Sequence, residues 1–98
     1  METIILKNIV RDSSSNEEGV KLFNILQEAY SKKEHLLLQV DSDLTMSSSF
    51  LNTSIGLFLD KYGLSTFRDT VKFKGSKTQF SRLSNYITED NNIYLLQS

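Results

Sequence analysis

The 98-residue chain has no cysteine, no proline and no tryptophan, and only four glycines. Without cysteine it can hold neither a disulfide framework nor a thiolate metal site, a composition that suits a reducing compartment. Without proline, slow prolyl isomerisation drops out as a folding step. No stretch approaches the roughly 20 apolar residues of a membrane span, and the opening METIILKNIV lacks the basic segment and long apolar core of a signal peptide. The expectation is a soluble, unexported, cytoplasmic protein. An excess of one charge is also missing. Eleven basic and 12 acidic residues leave a formal net charge of −1, which gives no global field to draw the chain onto nucleic acid or an anionic membrane. The sequence contains no G-x-S-x-G elbow, no G-x-x-x-x-G-K-[S/T] loop and no G-x-G-x-x-G, so hydrolase, nucleoside triphosphatase and dinucleotide-binding readings have no support.

What is present is enough apolar material for one compact core: 39% hydrophobic residues over a length that accommodates a single domain, residues 1–98. Thr3 to Val10 is a β-branched apolar run that reads as a first strand, followed by a polar loop, RDSSSN. Ser15 and Glu18 have capping-box spacing, and Leu22, Ile25, Leu26 and Ala29 recur at helical intervals up to about Ser31. Leu36 to Val40 reads as a second strand covered on both faces. A second helix carries Leu51, Ile55, Phe58 and Tyr62 on one face and stops at Gly63. Leu64 to Asp69 reads as a connector and Val71 to Phe73 as a third strand. A third helix places Phe80, Leu83 and Ile87 at i, i+3 and i+7. After a turn at Asn91 and Asn92, Ile93 to Leu96 is apolar enough to add a fourth strand or to pack on another chain as a homodimer contact. This order predicts an α/β fold: a small, mostly parallel four-stranded sheet with three covering helices and right-handed crossovers.

The chemistry concentrates where the second strand runs through an acidic loop into Ser47, Ser48 and Ser49. These serines suit plain helix capping, each cap worth about 1 kcal/mol. A phosphoacceptor or anion site is a second reading, since backbone N–H groups at a helix start carry roughly +0.5 charge. Contact with a partner is the third reading. Beside them Asn52, Thr53, Gly56 and Asp60 make a small, nearly neutral helix surface. Gly56 costs about 1 kcal/mol relative to alanine in an exposed helix, so it either admits a partner's backbone or lets the helix pack tightly on its own sheet. Asp41 and Asp43 form a D-x-D at a strand end that could hold Mg²⁺, although a solvated acidic loop explains the pair more simply. A phosphate on Ser48 would face that acidic loop. His35, the sole histidine, precedes the second strand while the serines follow it. Five strand residues span about 16 Å, so a serine–histidine pair is not expected. Lys72, Lys74, Lys77 and Arg82 are the one local basic cluster. Lys72 and Lys74 alternate with Val71 and Phe73 as on a strand with one wet face.

The succession of apolar strand, acidic loop, the turn Ser47-Ser48-Ser49-Phe50 and an amphipathic helix ending in Tyr-Gly resembles the STAS superfamily, particularly its small STAS-like branch of unknown function. The resemblance covers roughly Leu36 to Ile87. It implies a non-catalytic, cofactor-free regulatory module similar to anti-sigma factor antagonists, which bind a kinase-like ATPase and are controlled by serine phosphorylation. The family's acceptor turn, Asp-Ser-x-Gly, corresponds here to Ser47-Ser48-Ser49-Phe50, so Ser48 takes the acceptor position. Ser47 stands for the acidic residue and Phe50 for the glycine. The implied partner surface is Ser47, Ser48, Ser49, Asn52, Thr53 and Gly56. An alternative of a different class is a small phage or mobile-element protein that blocks a host protein by covering its surface. A metal-dependent enzyme built on Asp41 and Asp43 is a third.

Overall fold

Period-two burial organises the sheet. In the computed structural model, which describes residues 2–10, 16–41, 43–44 and 46–90 (for 88–90 the backbone only), β1 is Glu2–Ile5, β2 is Leu36–Gln39 and β3 is Val71–Lys74. All pairings are parallel in the order β1-β2-β3, with Ile4 opposite Leu38 and Leu38 opposite Phe73. Leu36, Leu38 and Val71 are buried on one face, while Leu37 and Gln39 are half-buried and Lys72 and Lys74 exposed on the other. The sheet is therefore packed chiefly on one side, and the expectation of a strand covered on both faces is corrected. Sequential parallel strands with crossovers of one hand put the intervening helices on a single face, which produces this asymmetry.

Several elements of the sequence reading are also revised. The first strand ends at Ile5, and Leu6–Asn8 form a 3-10 turn that drops Leu6 into the core. α1, Asn16–Ser31, buries Leu22, Leu26 and Ala29 as its spacing requires. The long second helix is two, α2 (Ser48–Thr53) and α3 (Ile55–Tyr62), broken at Ser54. Ser54 lies at φ −120°, ψ −88°, and its buried hydroxyl donates to the Phe50 carbonyl at 2.7 Å, a local bond that competes with the helical ladder. Gly63, at φ +91°, ends α3 in a conformation that disfavours any side chain. The supposed connector after it is α4, Leu64–Thr70, which buries Leu64 and Phe67 and leads directly into β3. The last described helix is α5, Lys77–Asp90, so the described residues hold five α-helices where three were expected.

The core lies between the sheet and α1 to α4. Phe50, Phe58, Leu22, Leu26, Leu38, Met46 and Ile55 are fully buried, and Phe58 meets the rings of Tyr30, Tyr62 and Phe67 at centroid distances of 6.1, 4.9 and 5.9 Å. The closest approach is between α1 and α2. A Cβ on Gly19 would overlap Thr53 Oγ1 and come within 2.7 Å of the Phe50 carbonyl, so only glycine lets these helices meet. On α5 the inward residues are Gln79, Leu83, Tyr86 and Ile87. Phe80, expected inside, is 57% exposed. Among the described residues the sheet has three strands. The fourth-strand expectation for Ile93 to Leu96, the turn at Asn91 and Asn92, and the Ser15 half of the capping box fall outside them.

Candidate functional site

The three serines have different jobs. Ser47 is the N-cap of α2, its Oγ accepting the Phe50 N–H at 3.1 Å. With that duty assigned, Ser48 and Ser49 are exposed at the start of the helix. Ser48 and Asn52, one turn apart, lie on the side of α2 that faces α5, and Asn52 Oδ1 accepts the Tyr86 hydroxyl at 2.8 Å. Thr53 turns the other way, against Gly19 of α1, with its hydroxyl donating to the Ser49 carbonyl at 2.9 Å. Gly56 is buried, and a Cβ there would overlap the Tyr86 hydroxyl. Its cover is α5, neither the sheet nor an open surface. The six residues named from the sequence thus divide between two sides of α2–α3, and only Ser48, Ser49 and Asn52 are exposed.

Between α2 and α5 runs an open cleft of about 600 Å³, lined by Ser48 and Leu51 on one side and Lys77, Thr78, Ser81, Arg82, Asn85 and Tyr86 on the other. Among the described residues no carboxylate lines it. The acidic loop expected to oppose a charge on Ser48 is engaged elsewhere: Asp41 pairs with Lys7 at 2.7 Å, which lifts the Lys7 ammonium above its ordinary pKa through the hydrogen bond and then the charge of Asp41. With six residues, α2 has only a short dipole, and the cations that share the cleft with Ser48 are Lys77 and Arg82 of α5. The basic cluster of the sequence is accordingly divided. Lys72 and Lys74 sit on β3, whereas Lys77 and Arg82 face the cleft.

What fixes the loop is a residue that sequence reasoning passed over. Gln79 is 5% exposed; its Nε2 donates to the carbonyls of Asp41 and Leu44, the latter at 2.7 Å, and its Oε1 accepts the Ser76 N–H at 3.1 Å. Ser76 Oγ in turn accepts the Gln79 N–H at 3.2 Å, completing a capping box at the start of α5. The S-x-x-Q spacing of Ser76 and Gln79 was the available signal. Arg82 adds a third stitch, its Nε donating to the Met46 carbonyl. Through these bonds α5 holds Asp41, Leu44 and Met46 and so sets where Ser48 lies.

The remaining sequence candidates lie apart. His35 stands at the opposite end of β2, its Nδ1 bonded to the Asp69 carbonyl at 2.7 Å. Asp41 and Asp43 gain no third histidine or carboxylate among the described residues.

A small parallel sheet packed on one face, with a capped serine turn at the head of a broken helix, defines a compact α/β module whose conspicuous feature is a surface cleft. A family model described as a STAS-like domain of unknown function (DUF4325) matches residues 18–79, from α1 to the clamping glutamine. The match spans more than half of the chain, and the protein belongs to that family. No curated protein and no solved structure matches it. Among the described residues no helix is long and apolar enough to cross a membrane.

Proposed function

We propose that this STAS-like domain is a non-catalytic regulatory module of the cytoplasm, that it docks a kinase-like ATPase along the α2–α5 cleft, and that Ser48 is its phosphoacceptor. The observation that carries the reading is the division of labour among the serines. Ser47 supplies the cap, which leaves the exposed Ser48 hydroxyl without a hydrogen bond among the described residues and at the edge of a cleft open to a partner. The likeness to anti-sigma factor antagonists supplies the partner class. In the transfer, Ser48 Oγ attacks the γ-phosphorus of ATP held by the partner. The Oγ–P bond forms as the bond to the β,γ-bridging oxygen breaks, ADP leaves, and the hydroxyl proton passes to a base of the partner.

The test is capture of the tagged protein's partner with and without ATP, with the phosphorylation state of Ser47 to Ser49 read by mass spectrometry. The expected result is an ATPase-type kinase, with phosphate on Ser48 and none in Ser48→Ala. Ser48→Asp should weaken binding while leaving thermal stability nearly unchanged, because an exposed first-turn position tolerates an acid. Equal affinity of Ser48→Asp and the unsubstituted protein for that kinase would discard the switch.

A further inference from the structure

We infer that Lys77 and Arg82 form an internal receptor for the phosphate of phosphorylated Ser48, so that modification closes the docking cleft from within. The inference rests on the reading of Ser48 as phosphoacceptor and specifies what the phosphate does once it is there.

Residues 77, 78, 81, 82 and 85 recur at helical spacing and form one stripe of α5 along the cleft, facing Ser48 across it. Two of the five are cations and none is acidic. Arg82 is held in place rather than trailing in solvent: its Nε–H is fixed on the Met46 carbonyl, two residues before Ser48. That bond leaves the two terminal nitrogens of the guanidinium as donors, a fork whose geometry matches two phosphate oxygens. Lys77 belongs to none of the ion pairs among the described residues, which are Lys7–Asp41, Lys21–Glu18 and Lys32–Glu28. Its ammonium is thus available as a second charge, and the hydroxyls of Thr78 and Ser81 offer neutral donors on the same stripe.

A phosphate on Ser48 carries about −1.5 to −2 charge at neutral pH and three acceptor oxygens. Swung into the cleft, it meets both cations and ties α2 to α5 at the place where the partner would dock. Release of the partner then follows from occupation of the cleft by the domain's own phosphate, with no rearrangement of the core.

The experiment places phosphoserine at position 48 of the full chain by genetic encoding or semisynthesis, which needs no kinase, and titrates it by ³¹P NMR at low salt. The expected result is a phosphate pKa below its ordinary value of about 6 by roughly half a unit, because nearby cations favour the dianion. Lys77→Met should remove about half of that shift, and raised salt should diminish it. Lys77 is exposed and makes no described hydrogen bond, so unphosphorylated Lys77→Met should melt as the unsubstituted protein does. A phosphate that titrates at its ordinary value and ignores Lys77→Met overturns the internal receptor while leaving the acceptor reading intact. The acceptor reading fails separately, by absence of phosphate on Ser48 after reaction with the partner and ATP.

Discussion

Replacing Gln79 tests whether α5 holds the loop that presents Ser48. The side chain is 5% exposed and makes three bonds to backbone: two donated by Nε2 to Asp41 and Leu44, one accepted by Oε1 from Ser76. At about 1 kcal/mol net for each, Gln79→Ala should cost about 3 kcal/mol, and the two carbonyls left facing a cavity make this a lower figure. For a domain of this size that is a fall in Tm of more than about 10 °C. Gln79→Glu is the sharper probe because it keeps the shape and the bond from Ser76 N–H but turns an oxygen toward two carbonyls. Burial and that repulsion raise the folded-state pKa of the introduced carboxyl above its unfolded value of about 4.3. Its ionisation therefore opposes folding. The deficit relative to Gln should be full at neutral pH and shrink as pH falls through the raised value, since the protonated acid can donate once. Urea denaturation of the three proteins between pH 4 and 8 measures this. A loss below 1 kcal/mol for Gln79→Ala, or a Gln79→Glu deficit independent of pH, would refute the clamp.

Other substitutions test the packing. Phe58→Ala should destabilise by about 3 to 5 kcal/mol in denaturant, since Phe58 is fully buried among three rings. Gly19→Ala and Gly56→Ala should differ. The first forces α1 from the Phe50 carbonyl and should cost about 1 to 3 kcal/mol. The second displaces the end of Tyr86 and needs the Leu51 carbonyl, 3.2 Å from the new Cβ, to give slightly; helix propensity offsets part of this, so the cost should stay within about 1 kcal/mol. The Lys32–Glu28 pair on α1, at 2.7 Å, gives a pH signature. Their hydrogen bond, then their charges, lower the Glu28 pKa and raise that of Lys32. The Glu28 contribution is full above 4.5 and is lost as pH falls through its lowered folded value; the Lys32 contribution is full below 10.5 and is lost as pH rises through its raised one. Stability against pH in Glu28→Gln should lose the acid limb of this dependence.

Local pattern was enough to place α1, β2, β3 and the stop at Gly63, because each is written in nearest neighbours: a 3.6-residue apolar stripe, a short aliphatic run, a glycine where φ must be positive. The same local rules misled at Leu64 to Thr70. Leu64 and Phe67 have helical spacing, but so soon after a helix stop, with Ser65, Thr66 and Thr70 among them, propensity favours a connector until packing on α3 and β3 decides. Phe80 misled in the opposite direction: it and Gln79 are adjacent, and the apolar one was assigned to the interior. Only the backbone carbonyls of Asp41 and Leu44, 38 and 35 residues earlier, explain why the amide is inside and the ring outside.

The candidate site divides in the same way. The serine turn and its capping role follow from the sequence around Ser47, because a cap is a bond across three residues. The cleft, the charge that faces Ser48 and the cover over Gly56 all come from α5, whose approach to α2 no local periodicity encodes. The family and the elements written in local pattern, α1, β2, β3 and the stop at Gly63, were determined by the sequence alone, through short-range hydrogen bonds and apolar spacing. Which charges share the cleft with Ser48 was decided by tertiary structure, because Coulomb interactions depend on distance in space, and Lys77 and Arg82 come to the same cleft as that serine only once the chain has folded.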